Sequence, residues 1–174
     1  PPGAFVFKSV AAGALRAVAG RRDGMLFWMT PAGAPAGTVR VFDSALTAVG
    51  LSADEGATIV GGERGELALV PADGGPPRPL PDAHQDAVTG VAVGADFFVT
   101  GSADGTVRFW TPRGDTLFVL RFTGGVQKVS LTAGGRYLCV LVDGERGLRQ
   151  WDLRELHRGL TGVGIDPGFP SSAE

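Results

Sequence analysis

Residues 7–24, FKSVAAGALRAVAGRRDG, lie over residues 88–105, VTGVAVGADFFVTGSADG, without a gap, and eight of the 18 positions are identical. A third copy, residues 46–70, fits after a two-residue insertion at Glu55 and Gly56, and a fourth, residues 126–152, fits more loosely. The spacings agree: Gly24 to Gly65 is 41 residues, Gly65 to Gly105 is 40, and Trp110 to Trp151 is 41. A unit of about 40 residues is near the lower limit for folding without staples, so each copy must use its neighbours to complete its core.

Within one copy the pattern is of short strands. VTGVAV (88–93), FFVTGS (97–102), TVRFWT (106–111) and TLFVLRF (116–122) are rich in β-branched and aromatic residues and bounded by turn residues. The ADG tripeptide (103–105) makes a tight hairpin turn, with Gly105 free to take positive φ. The 28 glycines and 12 prolines leave little room for long helices. Four strands per unit at this period predict an all-β propeller of about four four-stranded antiparallel blades, near residues 6–43, 46–80, 84–122 and 126–152. A short helix and tail follow over 153–174, and the whole chain reads as one propeller segment, either an open arc or part of a larger ring. Leu153, Leu156 and Leu160 fall on one face of that helix, which is expected to pack on the propeller edge.

The near-neutral balance, a formal net charge of −2 with 20% charged residues, gives no global pull toward nucleic acid or an anionic membrane. The apolar runs are too short to span a bilayer. The single cysteine, Cys139 in YLCVLV, excludes an internal disulfide and a cysteine zinc site and is expected to fill core. His84 and His157 are 73 residues apart with no further ligand at metal spacing, so no metal or other cofactor is expected.

HQDAVTGVAV…FFVTGSADGTVRFW in the third unit and the QWD ending of the fourth resemble WD-repeat β-propellers. The resemblance covers roughly residues 6–152. It implies a buried structural network of histidine, hydroxyl, turn aspartate and tryptophan, which falls on His84, Thr100, Asp104 and Trp110, and a tryptophan–aspartate pair at Trp151 and Asp152. The other units depart from it. The first repeat keeps Asp23 but has Phe27, Trp28 and Met29 around the tryptophan position; the second repeat has Arg64 at the aspartate and Val70 at the tryptophan; the fourth repeat has Phe122 at the histidine. The tail resembles the C-terminal end of bacterial WD-repeat proteins. The fourth repeat has no outer strand of its own, which in this family the N-terminus often supplies, but the chain has neither a starting methionine nor an obvious donor strand, so upstream blades are expected in the same polypeptide.

Ser102, His84 and Asp104 raise the question of a catalytic triad. No Gly-x-Ser-x-Gly elbow is present, and the network accounts for His84 and Asp104 without catalysis. GERGE (62–66) and DGERG (143–147) read as hairpin turns rather than phosphate loops, and DGGPPRPLPD (73–82) as an irregular blade edge. The turns between second and third strands share the usual binding face of the family and carry Arg21, Arg22, Arg64 and Arg146. These are either ordinary solvated turn residues or a basic strip for an acidic or phosphorylated peptide. The expectation is a non-catalytic protein-interaction scaffold inside a larger bacterial, cytoplasmic protein. The alternatives are a small-ligand or glycan-binding sensor and, third, a propeller hydrolase; the inner strands carry no paired carboxylates for the last.

Overall fold

The computed structural model describes residues 6–81, 83–132, 134–164 and 166–168. The opening PPGAF, Asp82 of the proline-rich stretch and part of the tail expected over 153–174 lie outside them. The chain forms two compact units, Pro1–Val88 and Thr89–Glu174.

Unit one holds two four-stranded antiparallel sheets, each a simple meander. The first runs β1 (Phe7–Ala12), β2 (Ala17–Arg21), β3 (Met25–Met29) and β4 (Pro35–Arg40); the second runs β5 (Leu46–Leu51), β6 (Ala57–Gly62), β7 (Leu67–Pro71) and β8 (Arg78–Leu80). Unit two holds a four-stranded meander, β9 (Val88–Val93, entered from the last residue of unit one), β10 (Phe98–Ser102), β11 (Thr106–Trp110) and β12 (Thr116–Arg121). A three-stranded one follows, β13 (Val126–Leu131), β14 (Tyr137–Val142) and β15 (Leu148–Asp152), and then the helix α1 (Leu153–Gly162). This is the blade-like all-β architecture that the repeat predicts, with three strands in the fourth sheet among the described residues.

The same local chemistry recurs. Gly24, Gly65 and Gly105 sit at φ +82, +85 and +78 in the turns after the second strands, where a Cβ would run into backbone carbonyls of the approach to the next sheet. The first strands β1, β5 and β13 each carry an irregularity after their first residue, between Phe7 and Ser9, Leu46 and Ala48, and Val126 and Lys128. The following residue in the middle two copies is a threonine. Thr47 Oγ1 donates to Val88 O at 2.6 Å and Thr89 Oγ1 to Val126 O at 2.6 Å, tying one first strand to the next.

Within each unit the two sheets bury side chains by stacking on each other. In unit one, Val18 and Leu26 of the first sheet close on Leu46, Val49, Val60 and Val70 of the second. Gly20 lies under this joint: a methyl there would come within 2.9 Å of Leu46 Cβ and 3.2 Å of Val49 Cγ1. In unit two, Val99, Val107 and Phe109 close on Val126, Val129, Leu138 and Val140, with Gly101 under Val126 and Val129. Phe109 is fully buried, its ring stacked on Phe97 at 6.0 Å and edge-on to Phe118 at 6.0 Å; burying such a side chain stabilises by about 1.5–3 kcal/mol.

Asp152 ends β15 and caps α1, its side chain accepting from the Arg154 N–H at 3.0 Å. Leu153 is buried and Leu156 packs on the unit-two core, while Leu160 is half-buried, so the helix turns its leucine face inward. Cys139 behaves differently from the expected core filler. Strand alternation sends Leu138 and Val140 inward and leaves Cys139 half-buried on the opposite face of β14. The proline-rich stretch forms a loop and then the short edge strand β8, where Pro79 pairs opposite Ala68 with no further strand beyond it.

Candidate functional site

The polar residues of the third repeat gather at the β10–β11 turn. Trp110 and Thr100 are both fully buried, and the indole Nε1 donates to Thr100 Oγ1 at 2.8 Å. Asp104 Oδ1 accepts from the Thr106 amide at 2.8 Å and from Thr106 Oγ1 at 2.6 Å, while Ser102 Oγ accepts the Asp104 amide at 3.1 Å. Ser102 has no solvent exposure, so its hydroxyl is closed to a substrate and serves the turn. His84 is half-buried before β9, its amide donating to Gly65 O at 3.2 Å.

Register locates the counterparts of this set in the other sheets. Gly101 pairs with Val107 as Gly20 pairs with Leu26 and Gly61 with Leu67. On that frame the Thr100/Trp110 positions become Ala19/Met29 in the first sheet and Val60/Val70 in the second. Trp28 is displaced to the other face of β3, where it covers Gly37 and Gly74. In the fourth sheet Leu138 pairs with Trp151, as Phe98 pairs with Trp110, and the hydroxyl position becomes Val140. Trp151 instead meets Phe122 edge-on at 5.8 Å, and the Arg149 guanidinium lies over the Phe122 ring at 5.6 Å. Its neighbour Asp152 holds Arg136, whose Nη2 is 2.8 Å away; this hydrogen bond is the main reason that the Asp152 carboxyl lies below, and the Arg136 guanidinium above, its ordinary pKa.

In the second sheet the turn carboxylate comes from Glu66. Its Oε2 accepts the Arg64 amide at 2.9 Å and its Oε1 accepts Ser44 Oγ at 2.8 Å. The sequence hides this because the acid has moved two residues along from the aspartate position. A second acid that sequence reasoning passed over is Glu55, inside the two-residue insertion. It takes φ +54, and its carboxylate accepts the amides of Ala14 and Leu15, one repeat away. The Arg16 guanidinium answers by donating to Glu55 O at 2.9 Å and Ala72 O at 3.0 Å. The insertion is therefore a clamp between the two sheets of unit one.

The candidate basic residues divide. Arg21, at the end of β2, is drawn into an ion pair with Asp23. Arg22 and Arg64 stand exposed at the tips of the β2–β3 and β6–β7 turns of unit one, and Arg146 stands exposed at the β14–β15 turn of unit two. Arg40 joins the unit-one turns, donating to Asp23 O at 3.2 Å with Asp43 at 3.7 Å. At the other end of unit one an apolar groove of about 610 Å³ is lined by Ala57, Leu69, Pro71, Pro77 and Pro79, with Arg78 among them. Among the described residues no group of three or more His, Cys, Asp or Glu is placed to hold a metal, and no helix is long and apolar enough to cross a membrane.

The chain is similar, over part of its length, to nuclear distribution proteins of fungi. Over 63 residues, 36% of this chain, it is 41% identical to nuclear distribution protein nudF of Aspergillus flavus and, equally, of Aspergillus oryzae. Over 60 residues, 34% of this chain, it is 43% identical to nuclear distribution protein PAC1 of Yarrowia lipolytica. Each match spans 14% of the relative's own length. No protein-family model matches the chain. The crystal structure of the computationally designed Ika4 protein superposes with a TM-score of 0.73 at 19% identity, covering 84% of this chain and 91% of that one, which establishes a shared fold.

Proposed function

We propose that the chain is a segment of a WD-repeat propeller and acts as a non-catalytic scaffold that binds an acidic or phosphorylated peptide through its second-to-third-strand turns. The observation that carries this reading is the division of labour at those turns. Ser102, Asp104 and Glu66 are spent on the turns themselves, while Arg22 and Arg64 project from neighbouring stacked sheets with no ion pair among the described residues. Two planar guanidinium groups from adjacent turns suit the paired oxygens of a carboxylate or a phosphate.

In this reading Thr100, Asp104 and Trp110 are the structural set of the third blade, and Trp151–Asp152 is the tryptophan–aspartate pair of the last. The sheets are read as propeller blades of a bacterial cytoplasmic protein. The test is capture of an immobilised acidic and phosphorylated peptide library by the wild type and by Arg22→Glu/Arg64→Glu. Charge reversal should abolish capture and leave the unfolding midpoint unchanged. Undiminished capture by the variant would reject the arginine face, and capture of neutral sugars in its place would favour a glycan sensor.

A further inference from the structure

Glu55 and Gly56, the two residues that interrupt the repeat, stand where two features of unit one meet. The first is a grip on a carboxylate. The Ala14 and Leu15 amides, in the exposed β1–β2 loop, both donate to the Glu55 carboxylate. A Cβ on the neighbouring Gly13 would strike that carboxylate, so the bare backbone is what lets it settle. Successive amides converging on one anion make a backbone nest. The second feature is the apolar groove of about 610 Å³, whose lining includes Gly56, Ala57, Leu69, Pro71 and Pro77. Arg16 connects the two. Its guanidinium donates to Glu55 O at 2.9 Å and Ala72 O at 3.0 Å, and these residues are the chain neighbours of Gly56 and Pro71 in the groove. The Arg16 Nε is buried with no acceptor among the described residues, so a donor at this junction is left unanswered.

The carboxylate of Glu55 can leave while its turn stays. The turn is held by backbone groups: Glu55 N donates to Ser52 O at 2.8 Å, Ala72 N to Gly56 O at 2.9 Å, and Arg16 to Glu55 O. Glu55 also sits at φ +54, a conformation unfavourable to a residue with a side chain, so its grip on the nest starts from a strained backbone. A ligand that replaces it needs a carboxylate on an apolar body, because the groove beside the nest is apolar. The edge strand β8 selects among such ligands. Pro79 is tolerated there because its missing N–H would face away from β7, and its carbonyl faces the same way. That carbonyl can accept an N–H, which a peptide carries and an acyl chain lacks.

We infer that the nest and the groove together form a site for the C-terminus of a peptide ending in an apolar residue, with the Glu55 carboxylate as its resident competitor. The site lies at the opposite end of unit one from the turns of Arg22 and Arg64 and does not depend on them.

The probe is N-acetyl-glycyl-valyl-leucine as the free acid, with its C-terminal amide as the matched control, titrated into the whole chain by calorimetry. Glu55→Gly suits the positive φ and vacates the nest. It should bind the free acid about tenfold more tightly than the wild type does, since the site no longer spends most of its time occupied, and it should not bind the amide. In the wild type the free acid at saturation should move the Ala14 and Leu15 amide resonances. Ala57→Arg added to Glu55→Gly fills the groove and should abolish binding. Glu55→Asn, which also accepts positive φ, gives the same comparison if the glycine variant has lost its folded circular dichroism. Equal binding of acid and amide, no gain from vacating the nest, or no binding by a folded variant overturns the inference. Decanoate bound as tightly as the free acid overturns the assignment to a peptide. Arg22→Glu/Arg64→Glu should bind the free acid as the wild type does, so that failure of this site and failure of the arginine-bearing turns are read separately.

Discussion

Thr100→Val tests a fully buried polar contact. The substitution preserves shape, removes the oxygen that accepts the Trp110 Nε1–H at 2.8 Å, and leaves that donor in a site with no solvent. An unsatisfied buried donor costs about 1–3 kcal/mol, and at this chain length each kcal/mol moves the thermal midpoint by about 2–4 °C, so a drop of roughly 2–12 °C is expected. Urea unfolding followed by tryptophan fluorescence supplies the free energy. The Val60/Val70 pair of the second sheet shows that two apolar residues satisfy the same positions. Thr100→Val should therefore cost less in a Trp110→Phe background than in the wild type, a coupling that a double-mutant cycle reads directly. An unchanged midpoint for the single variant, or strictly additive effects in the cycle, would refute the reasoning.

Three other outcomes follow from the same contacts. Gly101→Ala brings a methyl within 2.7 Å of Val126 Cγ1 and Val129 Cγ1 and should destabilise unit two by about 1–3 kcal/mol in urea titration. Glu55→Gly suits the positive φ at that residue while deleting the carboxylate, so a loss of about 1–2 kcal/mol together with faster exchange of the Ala14 and Leu15 amides would isolate the clamp. The Asp152 carboxyl is held below its ordinary range chiefly by its hydrogen bond from Arg136. Its stabilisation is therefore complete above the unfolded carboxylate pKa of about 4 and fades as pH falls through the lower folded value. Helical circular dichroism should fall with acid in that window for the wild type, whereas Asp152→Asn should lack this component.

The repeat carried most of the fold, because the requirements that recur are ones only particular residues meet: positive φ at Gly24, Gly65 and Gly105, close approach at Gly20, Gly61 and Gly101, and apolar alternation between them. What stayed hidden depended on side chains reaching across sheets. Glu55 looked like an interruption of the repeat and is a clamp, because a carboxylate on a longer turn can reach amides one repeat away. Glu66 supplies the second turn's acid from a position two residues off the pattern, where its extra methylene makes up the distance. Trp28 occupied the neighbourhood of a recurrent tryptophan, but one step along a strand reverses the face, and it packs on Gly37 and Gly74 instead. Arg21 shared a turn with Arg22 in the sequence, and the ion pair with Asp23 is what separates them.

The arginine-bearing turns are the proposed place where the molecule meets its partner. The direct measurement is a backbone amide chemical-shift map recorded while an acidic, phosphorylated peptide from the capture library is titrated in. The shifts should concentrate at residues 21–24 and 63–66 and disappear for Arg22→Glu/Arg64→Glu. Shifts concentrated instead in the proline-lined groove around Ala57, Leu69 and Pro77, unaffected by the charge reversal, would contradict it.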